Sequence, residues 1–137
     1  MIRIIDLETL IFSEVSRKVR DHCPKAFVTG EYVPSPPSFP CVSLVEVDNA
    51  TFRNSQTQGS SENHAAVTYE LNVYSNKTTG KKAQCREIAV LVNDVLMGLN
   101  FTRIMLEPVP NQNDATIYRM IGRYRAVVSK ENQIFRR

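Results

Sequence analysis

The residues able to do chemistry in this 137-residue chain are few: two histidines, three cysteines, one short carboxylate alternation and one lysine-flanked turn. Nucleophilic catalysis needs a nucleophile, a base and an orienting group within hydrogen-bond reach. His22 closes a predicted helix, where a cation beside the carbonyl end is favourable, and His64 closes a polar loop. A Cys/His pair would have to use one of them, and a structural role is the simpler account of each. Metal binding needs three or four clustered ligands, and no HExxH, CxxC or paired-histidine spacing occurs. Glu46 and Asp48 share one face of a predicted strand and could hold a hard cation, but no third carboxylate or Glu-x-Lys follows. A solvated strand edge accounts for them. Thr79-Gly80-Lys81-Lys82 opens a helix whose first amides could bind an anion, and a threonine-capped turn with solvated lysines explains it equally. No catalytic constellation, metal or cofactor is expected.

Arg119, Arg123 and Arg125 are more informative. They share one parity of a long predicted strand and so point to one face of a sheet. Ile117, Ile121 and Val127 have the same parity. A solvated outer face is one reading. A mixed apolar and arginine surface is also the composition of an interface patch, and Glu70 and Asn72 on another strand could be its partners in a neighbouring subunit.

The elements that position these residues follow from periodicity. Residues 6 to 22 read as a helix, capped by Asp6, with Leu7, Leu10, Ile11, Phe12, Val15 and Val19 on its apolar face. Residues 26 to 33 read as a short strand. Four prolines between Pro34 and Pro40 then exclude helix and central strand and make a stiff, extended connection. Residues 41 to 48 read as a strand. Residues 49 to 63 read as a mobile polar loop in which Phe52 is the one large apolar residue, followed by Arg53.

Residues 65 to 75 alternate with period two, Val67, Tyr69, Leu71 and Val73 against Thr68, Glu70, Asn72 and Tyr74. Residues 80 to 98 form a second helix, capped by Thr78 or Thr79. Cys85, Ile88, Val92, Val95 and Leu99 make its stripe, and Gly98 and Asn100 are suitable terminators. Residues 101 to 107 and 115 to 129 read as strands joined by a polar turn, and residues 130 to 137 as a loose tail. The order α-β-β-β-α-β-β predicts a single α+β domain, with a mostly antiparallel sheet and both helices packed on one face.

The totals agree. At this length one core forms without disulfides or metals. Apolar residues are 42% and charged residues 23%, and the net charge of +3 is short of a dedicated nucleic-acid binder. Cys23, Cys41 and Cys85 match no disulfide or metal framework, and buried free thiols in a reducing compartment are expected. No apolar run reaches the ~18 residues that span a membrane. The opening MIRIIDLETLIF is too broken by charge for a signal peptide, so the chain is expected to be made and used in the cytoplasm.

The stretch VTYELNVYSNKTTGKKAQCREIAVLVNDVLMGLNFTR, with NQNDATIYRMIGRYRAVV after it, resembles the tail-terminator (tail-completion, head-to-tail joining) proteins of long-tailed bacteriophages. The marks are Val73-Tyr74-Ser75 ending a strand, Gly80-Lys81-Lys82 turning into an amphipathic helix, Leu99-Asn100-Phe101-Thr102-Arg103 entering a strand, and Arg119 with Gly122-Arg123-Tyr124. They cover residues 65 to 128, and sister neck proteins share such marks.

The resemblance implies a sheet backed by two helices and a homo-oligomeric, hexameric ring. That ring would cap the tail tube, stop its polymerisation and join tail to head in the virion, after assembly in the host bacterial cytoplasm. The implied partners are the tail tube protein, a head-completion or neck protein, and DNA passing through the hole without sequence readout. No cofactor, catalysis or membrane is implied. Glu70, Asn72, Ile117, Arg119, Ile121, Arg123 and Arg125 are the candidate subunit interface, and Phe52 and Arg53 the candidate tube or neck contact. The competing readings are another neck protein, of the head-completion or connector type, and a small non-enzymatic DNA-binding protein using the arginine face.

Overall fold

Among the described residues two helices and six strands follow the order α1 (Glu8–His22), β1 (Phe27–Thr29), β2 (Cys41–Thr51), β3 (His64–Ser75), α2 (Lys81–Gly98), β4 (Thr102–Val109), β5 (Tyr118–Ser129) and β6 (Ile134–Arg136). The computed structural model describes residues 7–51, 64–110, 114–129 and 133–136. The strands form one sheet in the order β1-β2-β3-β5-β4, with β6 beside the last residues of β5. Every pairing is antiparallel except β1 with β2. Both helices pack on one face, as the α-β-β-β-α-β-β order predicts.

That face is built by alternation. Val67, Tyr69, Leu71 and Val73 on β3, and Met120, Gly122, Tyr124, Ala126 and Val128 on β5, are buried beneath the helices. α1 contributes Leu7, Ile11, Val15 and Val19 at four-residue steps, and α2 contributes Cys85, Ile88, Ala89, Val92 and Leu96. Each aliphatic side chain removed from water is worth ~1.5–3 kcal/mol. Leu10, expected on the apolar face of α1, instead points to solvent. The buried tyrosines keep polar partners at their tips. The Tyr124 hydroxyl donates to Asn93 Oδ1 at 2.8 Å and the Tyr69 hydroxyl to Glu46 Oε1 at 3.0 Å, while the Tyr69 ring meets Phe101 edge-on. Gly122 sits under this layer. A Cβ there would lie 3.1 Å from Leu106 Cδ1 and 3.2 Å from the Tyr124 ring.

Several boundaries differ from the sequence expectation, each for a local reason. α1 starts at Glu8 with Leu7 at its cap, without a side-chain cap bond; Asp6, the expected cap, lies outside the described residues. α2 is entered through Gly80 in the left-handed conformation (φ 85°), not through a threonine cap. Its far end is a Schellman turn. Phe101 N–H reaches Leu96 O at 2.9 Å, Asn100 N–H reaches Met97 O at 3.0 Å, and Asn100 takes the left-handed φ of 71°. β1 stops early because Glu31 N–H turns back to Thr29 Oγ1 at 3.2 Å. β5 starts late because Asp114 Oδ1 accepts from the N–H and hydroxyl of Thr116, holding a turn. Residues 49–51 continue β2 instead of opening the loop. Part of the expected loose tail is β6, and its Ile134 packs against the core.

The proline segment has a distinct task. β1 and β2 are parallel neighbours, so the chain must return across the sheet between Thr29 and Cys41. It passes over the face opposite the helices. Ser43 Oγ donates to Glu31 O at 2.8 Å, and the Tyr74 hydroxyl donates to Val33 O at 3.4 Å. Cys41, Ser43, Asn72 and Tyr74, all on that face, are buried.

Two predictions follow from this core. Val73→Asp places an unpaired charge between sheet and helices and is expected to abolish the cooperative thermal transition; a midpoint equal to the parent's would mean the two strand faces are assigned the wrong way round. Burial also pushes up the pKa of three groups, the Cys41 thiol to about 11, the Cys85 thiol to about 12 and the Tyr124 phenol to about 12. The unfolded chain therefore loses these protons first, so folding stability present below pH ~9 is lost progressively as pH rises toward ~12. Urea midpoints measured from pH 8 upward should fall, and fall less steeply in Cys85→Ala.

Candidate assembly surface

The arginine stripe of β5 lies on the sheet face that carries no helix. This placement follows from the pleat, because Met120, Gly122, Tyr124 and Ala126 occupy the core side and leave Arg119, Ile121, Arg123 and Arg125 on the other. Register then assigns each arginine a cross-strand neighbour on β3: Tyr74 for Arg119, Glu70 for Arg123 and Thr68 for Arg125.

The contacts form a ladder. Arg119 donates through Nε and Nη2 to Asn72 Oδ1 at 2.9 and 2.7 Å, and its guanidinium lies 5.5 Å from the centre of the Tyr74 ring. Arg123 Nη2 lies 3.0 Å from Glu70 Oε1. Arg125 Nε donates to Thr68 Oγ1 at 3.4 Å. Among the described residues no carboxylate lies within ion-pair distance of Arg119 or Arg125. Two of the three guanidinium groups are thus held by neutral oxygens, without a counter-charge beside them among the described residues. Burial raises the Tyr74 phenol above its ordinary range, while the Arg119 charge beside it pulls the other way.

Six of the seven candidate interface residues come together on this one face, and the seventh, Ile117, lies just before the first residue of β5. Ile117 lines a groove of about 460 Å³ with Pro108, Val109, Tyr118 and Arg119 at the tip of the β4–β5 hairpin. Arg123 and Arg125 are exposed, and Arg119 and Ile121 are half-buried. One expectation changes. Glu70 and Asn72 were expected to meet the arginines of a neighbouring subunit; they meet those of their own chain, because β3 and β5 are adjacent and in register. Phe52 and Arg53 lie outside the described residues. Tyr74 and Thr68 belong to the ladder and were not singled out from sequence, although their parity with Glu70 and Asn72 was the available signal.

Elsewhere the chemistry-bearing residues stay apart. Among the described residues no group of three His, Cys, Asp or Glu side chains could hold a metal ion. Cys41 and Cys85 are buried free thiols, and Cys85 Sγ donates to Val73 O and Tyr118 O. His22 Nε2 stands 3.8 Å from Glu87 on the helix surface, and His64 lies against Phe135. Glu46 serves the Tyr69 hydroxyl on the helix side, and Asp48 follows a bulge, so the two do not converge on a cation. No described helix is long and apolar enough to cross a membrane.

No protein-family model matches the chain, and a search of curated proteins finds no match. Among solved structures, a chain in the virion of a native gene transfer agent particle has the same fold. The TM-score is 0.68 at 19% sequence identity, over 90% of this chain and 94% of that one. At that identity the likeness establishes the architecture, nearly end to end.

The pair geometry gives a direct expectation. Arg123 is about half exposed, with 48% of its side chain open to solvent, so its ion pair with Glu70 contributes little to folding. Arg123→Ala should shift the urea-derived stability by less than ~1 kcal/mol. A loss of several kcal/mol would make the pair part of the core and not a surface feature.

Proposed function

We propose that this chain is a structural protein of a phage-like virion and, within it, a tail terminator. It forms a ring that caps the finished tail tube, stops further addition of tube protein and presents the surface that joins the DNA-filled head. The observation that carries the virion role is the shared fold with a chain of a gene transfer agent particle, which leaves little of either chain unmatched. The finer role is supported by the tail-terminator marks between residues 65 and 128. Those marks fall on the load-sharing parts of this fold: the end of β3, the Gly80 entry to α2, the Asn100 turn into β4, and the Gly122 close approach on β5.

The arginine face is the proposed contact surface of the assembly. Its side chains are already ordered by Asn72, Glu70 and Thr68, so a partner meets a surface whose rotamer entropy is largely spent. Arg119 and Arg125 are suited to attracting phosphates of DNA crossing the hole without reading its sequence. No cofactor or bond-making step is part of this role.

The test is to add purified protein to polymerising tube protein and measure tube lengths by electron microscopy. Tubes are expected to stop at shorter, bounded lengths with extra density at one end. Length distributions that stay unchanged at saturating protein would remove the tail-terminator role. Binding to the portal end of heads, with tubes unaffected, would transfer the chain to the head-completion class.

A further inference from the structure

The sheet has two open edges among the described residues. β1 covers only Cys41, Val42 and Ser43 of β2, so residues 44 to 51 have no strand on their outer side. At the other end β4 pairs with β5 alone. An uncovered strand presents a row of N–H and C=O groups ready for another chain.

The two edges match in direction, level and charge. Three antiparallel pairings separate β2 from β4, so the two strands run in opposite directions. Copies set side by side about an axis along the strands would bring them together antiparallel. The register also carries each level of the sheet from edge to edge. Glu46 lies opposite Tyr69, Tyr69 opposite Tyr124, and Tyr124 opposite Arg103; Leu44 is linked in the same way through Leu71 and Gly122 to Leu106. Pro108, which has no N–H to give, is level with Val42, where β1 already fills the neighbour's edge. The proline-free part of β4 is thus level with the open part of β2. Each strand carries a bulge next to the Glu46–Arg103 level, one on either side of it, and each bulge exposes a large apolar residue, Val47 at 44% and Ile104 at 57%. Arg103 and Glu46 both lie on the helix side, where Arg103 donates to Asn93 Oδ1 and Glu46 accepts from Tyr69.

We propose that β4 of one copy adds to the open edge of β2 in the next, antiparallel, with Arg103 opposite the neighbour's Glu46 and Ile104 opposite its Val45. The proposal rests on the ring reading given above and supplies its subunit contact. The contact is heterologous, the kind from which a ring is built when its rotation closes. The bulges and charges that discourage indiscriminate edge pairing admit this matched partner. The helices then line one wall of the ring and the arginine faces the other.

Cross-linking tests the contact. In a Cys23→Ser background, Val45→Cys with Ile104→Cys is expected to give a covalent ladder beyond dimers under mild oxidation, while either cysteine alone stops at dimers. Arg103→Glu or Glu46→Arg added to the double-cysteine chain should abolish the ladder, and an equimolar mixture of the two should restore it. Circular dichroism melts confirm that each variant is folded. Folded variants that give no ladder, while the parent chain still shortens tubes, would overturn the edge contact and leave the ring reading standing. The tube-length assay on the parent chain reads that ring reading alone.

Discussion

The pairing of β3 with β5 is the constraint on which the other features depend. The two strands match over their full twelve-residue lengths, from His64 opposite Ser129 to Ser75 opposite Tyr118. Because side chains alternate, this one register decides both faces at once. It stacks Tyr69 with Tyr124 and Val73 with Met120 under the helices, and it sets Glu70 beside Arg123 and Thr68 beside Arg125 on the far side. A slip of one residue would turn one strand over relative to the other, driving either Arg123 or Glu70 into the core and exposing the tyrosine of the same strand. Nothing else in the chain could compensate, since α2 and the β4–β5 hairpin are both built onto this pair.

The parts legible in the sequence are those in which a period repeats often enough to leave one solution. The alternation on β3 and β5 and the stripe on α2 are of this kind, and they correctly placed three arginines on one face away from the helices. What was not legible depended on single local bonds or on neighbours in space. The entry to α2 turns on the left-handed Gly80, and the early end of β1 on one Thr29 hydroxyl. β6 is three residues long and exists because β5 outruns β4, leaving Ala126 to Val128 for it to pair with. The most consequential gap was strand order. Parity said that Glu70 and Asn72 suit the arginines, but only adjacency of β3 and β5 shows that they serve them within one chain.

That adjacency changes what the arginine face is for. Side chains already hydrogen-bonded in cis are poor glue between copies, because a partner must either displace Glu70 and Asn72 or bind over them. What they offer is order. Arg119 is held by an asparagine almost wholly removed from solvent and by the Tyr74 ring, so its planar head is fixed in direction before anything meets it. A fixed, charged, faintly apolar wall suits a surface that another molecule slides along or rests against.

The open edges of β2 and β4 have the complementary character. Among the described residues no strand lies on their outer sides beyond the short stretch that β1 covers, and their exposed apolar residues sit at bulges instead of in a flat row. Such edges gain from a partner, whereas the arginine face is already largely content with its own chain. The proposed division of work, with edges joining copies and the face left to the assembly's contents, requires both surfaces to hang from the same strand register. A substitution that disturbs Gly122 or Tyr124 would then affect both together, although neither residue touches a neighbour. The tight approach around Gly122, set by Leu106 of β4 and the Tyr124 ring, is where the two surfaces are mechanically joined.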